Sequence, residues 1–359
     1  MENRIQLRVR EKIGETATAT TLVLQPLGQE LRYQAGQFIT LLFNDLDPKE
    51  FRRSYSFSST PGVDEFPAIT VKKIPNGSAT RYLVDHLQVG EMLEAILPAG
   101  QFVLPAGDGV SRDIFLIGGG SGATPLFSIL KQVLHFEPQS RVTLIIANSN
   151  EEAIIFRQTL HELAVTFAGR LHIIHFLSSI KTDFSLLQQV EAPAEIQVER
   201  LSNALVGELV AQHLHFNRDD AQFFLCGPKN LMLKAGQMLR YLQFKENRIH
   251  QETFTIIEPF RPTGEQYGDS RVQILYMGKN YDIWVKGGQT ILEAAETVGL
   301  ELPYSCRSGI CTACIGRCSS GEVELFLPTG RISTQWSNQI VFTCVGYPLT
   351  ETVELQIGL

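Results

Sequence analysis

Residues 113–125 read Asp113-Ile-Phe-Leu-Ile-Gly-Gly-Gly-Ser-Gly-Ala-Thr-Pro125. An apolar run that stops at glycines and gives way to an apolar stretch near residues 126–134 predicts a doubly buried strand, a tight turn and a helix. The grammar repeats: strands are expected over 141–147, 171–176, 221–225 and 249–257, with a helix over 152–164 and a loop plus short helix over 178–197. Strands of this kind separated by helices predict a parallel α/β sheet. Glycines between a strand and a helix let an anionic phosphate approach free helical N–H groups. The run lacks the Gly-x-Gly-x-x-Gly spacing, so an ordinary tight turn stays open as an alternative.

A lone cysteine ends the strand at 221–225, in Cys226-Gly-Pro228. Ligands of open α/β sheets bind at the carboxyl ends of strands, so Cys226 is either a packing residue or a cofactor neighbour.

Upstream, residues 5–104 carry short alternating runs, among them 21–25, 38–43 and 68–72, which predict an antiparallel barrel or sandwich. A helix over 80–89 is expected to open at Thr80 and stop at Gly90. Arg53-Ser-Tyr-Ser56 puts a cation, a ring and two hydroxyls on one strand; alternation sends Arg53 and Tyr55 to one side and Ser54 and Ser56 to the other.

Downstream, residues 258–270 are rich in proline and glycine without periodicity and predict a linker. A hairpin follows over 272–276 and 281–285, then a capping box at Thr290 and Glu293 opening a helix that ends at Gly299. Five of the six cysteines lie between 306 and 344. Cys306, Cys311, Cys314 and Cys344 give Cys-x4-Cys-x2-Cys-x29-Cys, the plant-type [2Fe–2S] spacing. Zinc prefers pairs separated by two to four residues and fits less well; purely structural thiols fit least. Cys318 is surplus and is read as a non-ligating thiol.

With 359 residues and roughly 150 per domain, two or three domains are expected. The net charge of −7, with no long basic run, argues against nucleic acid. A charged start and no 18-residue apolar stretch argue against a signal peptide or membrane span and for the cytoplasm.

Arg53–Ser56, Gly77-Ser-Ala-Thr80, the glycine turn and Cys226–Pro228 occur in the order that resembles the ferredoxin–NADP⁺ reductase superfamily. With the carboxyl-terminal cysteine unit, nearly the whole chain resembles the reductase components of multicomponent oxygenases, phenylacetyl-CoA epoxidase reductases among them. The resemblance implies three domains: an antiparallel β-barrel for FAD over 1–107, a parallel-sheet α/β domain for NAD(P) over 108–257, and, past the linker, a β-grasp ferredoxin domain over 271–359. It implies that Arg53 pairs with the flavin phosphate, Ser54 and Tyr55 pack along the flavin, and Ser56 acts near the hydride-accepting atom. Thr70, Val71 and Lys72 would line the flavin, and Gly77, Ser78, Ala79 and Thr80 would hold phosphate, Thr80 standing where relatives carry Ser.

Gly118, Gly119, Gly120, Ser121, Gly122, Ala123 and Thr124 would cradle the nicotinamide dinucleotide. Cys226, with Gly227 and Pro228, would sit beside the nicotinamide as a second catalytic residue, and Glu252 and Phe254 match a Glu-x-Phe pattern that reaches the flavin. The expected cofactors are FAD, with FMN as the alternative, a [2Fe–2S] cluster, and NADPH or NADH as donor. NADPH-preferring relatives often carry Arg where this chain has Ala147-Asn-Ser-Asn150, which leaves Arg157 and Arg200 as candidates for a 2′-phosphate. The expected partner is an oxygenase or another electron acceptor; a redox sensor with no dedicated acceptor is the reading from a different class.

Overall fold

The computed structural model describes residues 4–43, 52–74, 77–104, 109, 111–254, 267–304, 307–309, 313–327, 330–334 and 339–357. It divides into two compact units, Met1–Thr253 and Phe254–Leu359.

The first unit opens with six antiparallel strands, β1 (Arg4–Thr16), β2 (Ala19–Leu27), β3 (Phe38–Leu42), β4 (Arg52–Ser56), β5 (Ala68–Lys72) and β6 (Met92–Ala99). They run in the order β4-β3-β6-β1-β2-β5. A bridge between Phe57 and Ile69 joins the two ends, so the sheet curls into a barrel around Leu7, Leu22, Leu24, Ile39, Leu41, Phe57 and Ile69. Fully burying such side chains contributes about 1.5–3 kcal/mol each. The expected helix over 80–89 starts earlier: α1 spans Ser78–Arg81, with Gly77 at its cap, and passes into a π-turn at Tyr82–His86. Thr80 is not the cap because its hydroxyl turns back to donate to the Gly77 carbonyl at 3.1 Å.

The second half of this unit alternates β7 (Asp113–Gly119), α2 (Ala123–Phe136), β8 (Arg141–Asn148), α3 (Arg157–Thr166), β9 (Leu171–Leu177), α4 (Phe184–Glu191), β10 (Glu195–Gln197), α5 (Asn203–His213), β11 (Gln222–Cys226), α6 (Lys229–Tyr241) and β12 (Ile249–Glu252). All six strands are parallel, in the order β10-β9-β8-β7-β11-β12. The order reverses between β7 and β11, the kind of switch point where ligands of open α/β sheets bind. One face packs on Leu126, Ile129, Leu130 and Leu160, the other on Val206, Val210, Met232 and Leu239.

Several elements differ from expectation. The segment 178–197 holds the expected short helix, α4, capped by Asp183, and in addition the short strand β10. The helix over 152–164 becomes a 3₁₀ turn at Glu151–Ala153, an extended Ile154, and α3 opening after Phe156. Phe156 interrupts it by adopting a left-handed φ of 63°, which costs a residue with a Cβ roughly 1–2 kcal/mol. Strand β12 ends at Glu252; residues 255–257 of the expected strand lie outside the described residues.

The barrel and the parallel sheet meet through buried polar contacts. Thr60 Oγ1 donates to the Ser128 carbonyl at 2.7 Å, Ser128 Oγ donates to the Ser59 carbonyl at 2.5 Å, and Lys131 pairs with Asp64 at 2.5 Å.

The second unit holds β13 (Ser270–Tyr276), β14 (Lys279–Val285), α7 (Ile291–Thr297), β15 (Ile315–Ser320), β16 (Val323–Leu327), β17 (Gly330–Ser333), β18 (Ile340–Phe342), β19 (Gly346–Pro348) and β20 (Thr352–Ile357). A mixed sheet, β14-β13-β20-β15-β18, and a small one, β17-β16-β19, enclose a core under α7. The capping box is present: Thr290 Oγ1 accepts from Glu293 N while the Glu293 carboxylate accepts from Thr290 N. The hairpin turns on Met277-Gly278, both at positive φ, the conformation that a two-residue hairpin loop favours, so the second strand begins at Lys279, two residues before the expected 281. Of residues 258–270, only 267–270 are described; there Tyr267 is buried against Phe326 and Tyr347.

Candidate functional site

On β4, the register with β3 sets Ser54 opposite Thr40, and their hydroxyls bond at 2.8 Å. Tyr55 and Arg53 lie close enough to interact electrostatically: burial pushes the Tyr55 phenol up while the Arg53 charge opposes it. Burial likewise lowers the Arg53 guanidinium, which donates to the Arg52 carbonyl at 2.8 Å. The Tyr55 hydroxyl is buried with no hydrogen-bond partner among the described residues. A buried orphan hydroxyl costs free energy, and it is the kind of atom that a bound polar group satisfies.

Ser56 is buried at the end of β4, and its Oγ donates to Glu252 Oε2 at 3.2 Å. Glu252 ends β12 directly beside Cys226 of β11, which in turn pairs with Gly118 of β7. Ser56, Glu252, Cys226 and the glycine turn therefore converge where the barrel meets the switch point. Burial raises the Glu252 carboxyl from 4.5 to about 8, against the pull of the Ser56 hydrogen bond. Burial, and then the Glu252 charge, push the Cys226 thiol well above its ordinary value, so it is no thiolate nucleophile.

The glycines do two jobs. A Cβ on Gly118 would stand 2.4 Å from the Cys226 carbonyl oxygen, and one on Gly119 2.6 Å from that of Ala147. At Gly122 it would meet the Cys226 carbonyl oxygen at 2.0 Å. These three let the turn pack against neighbouring backbone. Gly120 alone in the run has a positive φ, +57°, and Lys72 Nζ lies 3.5 Å from where its Cβ would be. Ser121 lies in the turn, and α2 begins at Ala123 with no side-chain cap. The Thr124 hydroxyl is buried without a partner among the described residues. Uncapped helical N–H groups, an orphan hydroxyl and a nearby lysine suit a pyrophosphate.

On β5, Thr70 and Val71 are buried, and Thr70 Oγ1 lies 2.7 Å from Thr21 Oγ1. Ser78 and Ala79 form the first turn of α1. Gly227 packs against Gly119 N, and Pro228 is the residue before α6. Phe254 is exposed. Arg157 is ion-paired to the buried Glu191, and Arg200 is exposed past β10.

One residue that the sequence reading passed over joins this region. Glu15, at the end of β1, accepts from Thr21 Oγ1 at 2.6 Å and from Phe156 N at 3.1 Å. A single carboxylate near the end of a barrel strand carries no motif, so nothing in the sequence signals it.

In the second unit, Cys314 and Cys344 are buried with their sulfurs 3.3 Å apart, well beyond a disulfide bond of about 2.05 Å. Cys306 and Cys311 lie outside the described residues, and among the described residues no three metal-ligating side chains converge. Between them Arg307 and Gly309 both take positive φ and Ser308 is fully buried. A Cβ on Gly309 would press on Leu327 and Val345 at 2.8 Å. Cys318 points elsewhere: its thiol donates to the Ser320 carbonyl at 3.2 Å, and burial raises it. Two buried cysteine sulfurs brought together from the loop before β15 and the turn between β18 and β19 have the donor chemistry that an iron–sulfur cluster requires.

Three family descriptions match successive parts of the chain: an oxidoreductase FAD-binding domain over 4–104, an oxidoreductase NAD-binding domain over 116–237 and a 2Fe-2S iron-sulfur cluster binding domain over 275–349. The ferredoxin reductase component of 3-ketosteroid-9-alpha-monooxygenase from Mycobacterium tuberculosis is 30% identical over 98% of this chain and 95% of its own. The chain belongs to the family of FAD-, NAD- and [2Fe–2S]-binding oxygenase reductases. A component of 1,2-phenylacetyl-CoA epoxidase from Escherichia coli is also 30% identical, over 96% of this chain and 94% of its own. Phthalate dioxygenase reductase shares the fold, with a TM-score of 0.58 at 19% identity over 99% of this chain and 100% of that one. This reductase is therefore an oxidoreductase with all three cofactor-binding modules. Among the described residues no helix is long and apolar enough to cross a membrane.

Proposed function

We propose that this reductase takes two electrons from NADH or NADPH at the junction of its barrel and parallel sheet and delivers them singly, through its cysteine loop, to an oxygenase. FAD supplies the change from paired to single electrons, and a [2Fe–2S] cluster supplies one-electron relay. The observation that carries the reading is the Ser56–Glu252–Cys226 convergence at the switch point. Arg53, Ser54, Tyr55, Thr70, Val71 and Lys72, with Gly77–Thr80, would hold the flavin. Gly118–Thr124 and Cys226–Pro228 would hold the nucleotide. Cys306, Cys311, Cys314 and Cys344 would ligate the cluster.

Within this arrangement Ser56 fixes the Glu252 carboxyl, and Glu252, with its pKa near 8, holds a proton at Oε at neutral pH. Cys226, fully buried, fills the space at the strand end and excludes water. Equal identities to the ketosteroid and phenylacetyl-CoA relatives support either kind of oxygenase as the acceptor.

Anaerobic titration of the purified protein with NADH and NADPH tests the core of the proposal. Loss of both flavin and cluster absorption is expected; a protein that neither nucleotide bleaches would refute it. Reconstitution with each kind of oxygenase then separates the two acceptors. Reduction of ferricyanide without support of any oxygenase would favour a free-standing carrier as acceptor.

A further inference from the structure

We propose that Glu15 is a positioning residue that ties the flavin-side barrel to the nucleotide-side turn, so that its carboxylate sets how the donor meets the flavin. The inference rests on the function proposed above.

Glu15 crosses from β1 to the other half of its unit. One carboxylate oxygen receives Thr21 Oγ1 at 2.6 Å, and the other receives Phe156 N at 3.1 Å. Thr21 in turn meets Thr70 Oγ1 at 2.7 Å. A polar chain thus runs from β5, the strand assigned to the flavin, to the turn between β8 and α3.

That turn is held under strain. Phe156 is buried in a left-handed conformation at the opening of α3, which has no side-chain cap of its own. A non-glycine residue persists there only where its surroundings over-determine it. Glu15 does part of that work from the barrel, since a carboxylate at a helix N-terminus receives an orphan N–H and complements the helix dipole. The Phe156 ring stacks on Phe127 of α2 with centroids 4.1 Å apart. The first turn of α2 is the candidate phosphate cradle, and β8 ends beside it, Gly119 lying in register with Ala147. Fixing Phe156 therefore fixes both walls of the nucleotide site relative to the barrel. Small displacements of a bound reactant cost large factors in rate, so this clamp acts on transfer without touching either reactant.

The test uses the full-length holoprotein and three readouts: anaerobic stopped-flow reduction of flavin by NADH and NADPH, flavin content, and amide hydrogen exchange over residues 151–157. Glu15→Ala is expected to raise the nucleotide KM at least five-fold, lower the limiting rate of flavin reduction, and speed exchange at Phe156 at least ten-fold, with flavin content unchanged. Glu15→Gln, which keeps one accepting oxygen, should fall between. Thr21→Val should shift the kinetics less in the same direction, and should add nothing on top of Glu15→Ala.

Wild-type kinetics in Glu15→Ala at full flavin content overturn the inference, as does faster exchange without a kinetic change. If Glu15→Ala does not fold, wild-type kinetics in both Glu15→Gln and Thr21→Val overturn it instead. An unmutated chain that neither nucleotide reduces overturns the proposed function first, and is distinguished by needing no variant to show it.

Discussion

Changing Gly122 to Ala isolates what the glycine turn is for. Gly122 has φ −62° and ψ −14°, ordinary right-handed values that alanine adopts without strain. On backbone entropy alone the substitution should stabilise the protein by about 0.4–1 kcal/mol. The new methyl, however, would stand 2.0 Å from the Cys226 carbonyl oxygen, 2.4 Å from its carbon and 2.7 Å from Gly227 N. Comfortable contact begins near ~3.5 Å, so about 1.5 Å must open. Neither side yields cheaply, because β11 is paired on both edges, to β7 and to β12.

Overpacking of this sort costs about 1–3 kcal/mol, enough to offset the entropic gain and leave a net loss of about 1.3 kcal/mol. For a unit of this size that lowers Tm by roughly 3–5 °C. If the turn gives instead of β11, the start of α2 moves, and a shift of about 1 Å at a reacting site costs on the order of 100-fold. Calorimetric unfolding and nucleotide-dependent flavin reduction read the two effects. An equal or higher Tm together with unchanged nucleotide kinetics would refute the packing argument.

Cys344→Ala should abolish the cluster's visible absorption while flavin stays bound, whereas Cys318→Ala should leave the spectrum intact; the reverse pattern in absorption spectra would reassign the fourth ligand. The Glu252 pKa also makes stability depend on pH. Between 4.5 and about 8 the folded chain holds a proton that the unfolded chain has lost, so this contribution falls as pH rises through that window. Urea midpoints at about pH 5 and pH 8 should show the decline, and Glu252→Gln should flatten it; an identical slope in the variant would remove Glu252 as its source.

The strands of the parallel sheet were legible because burial on both faces writes a continuous apolar run, as in residues 113–117. The glycine turn was legible as a turn, but not the reason for most of its glycines. Gly118 and Gly122 face the Cys226 backbone more than a hundred residues away, and sequence proximity carries no trace of that approach. The Ser56–Glu252 bond spans 196 positions and was visible only as two short motifs without a link. Helices α5 and α6 escaped notice, although Ser202 accepts from Leu205 N in an ordinary cap. The opening of the helix expected over 152–164 was not legible because it depends on Glu15, a partner in another sheet.

The buried hydroxyls at the junction of barrel and parallel sheet bear on how such proteins diversify. Ser128 is fully enclosed and serves both Thr60 and Ser59, and Lys131 is buried with Asp64 as its counter-charge. A recombination event that parted these two layers would leave a charge and several polar groups without partners on each new surface. A crossover beyond residue 253 meets no such penalty from these contacts, since the remaining unit has its own core. The first 253 residues are thus built to be inherited as one cassette, and the second unit carries a core of its own.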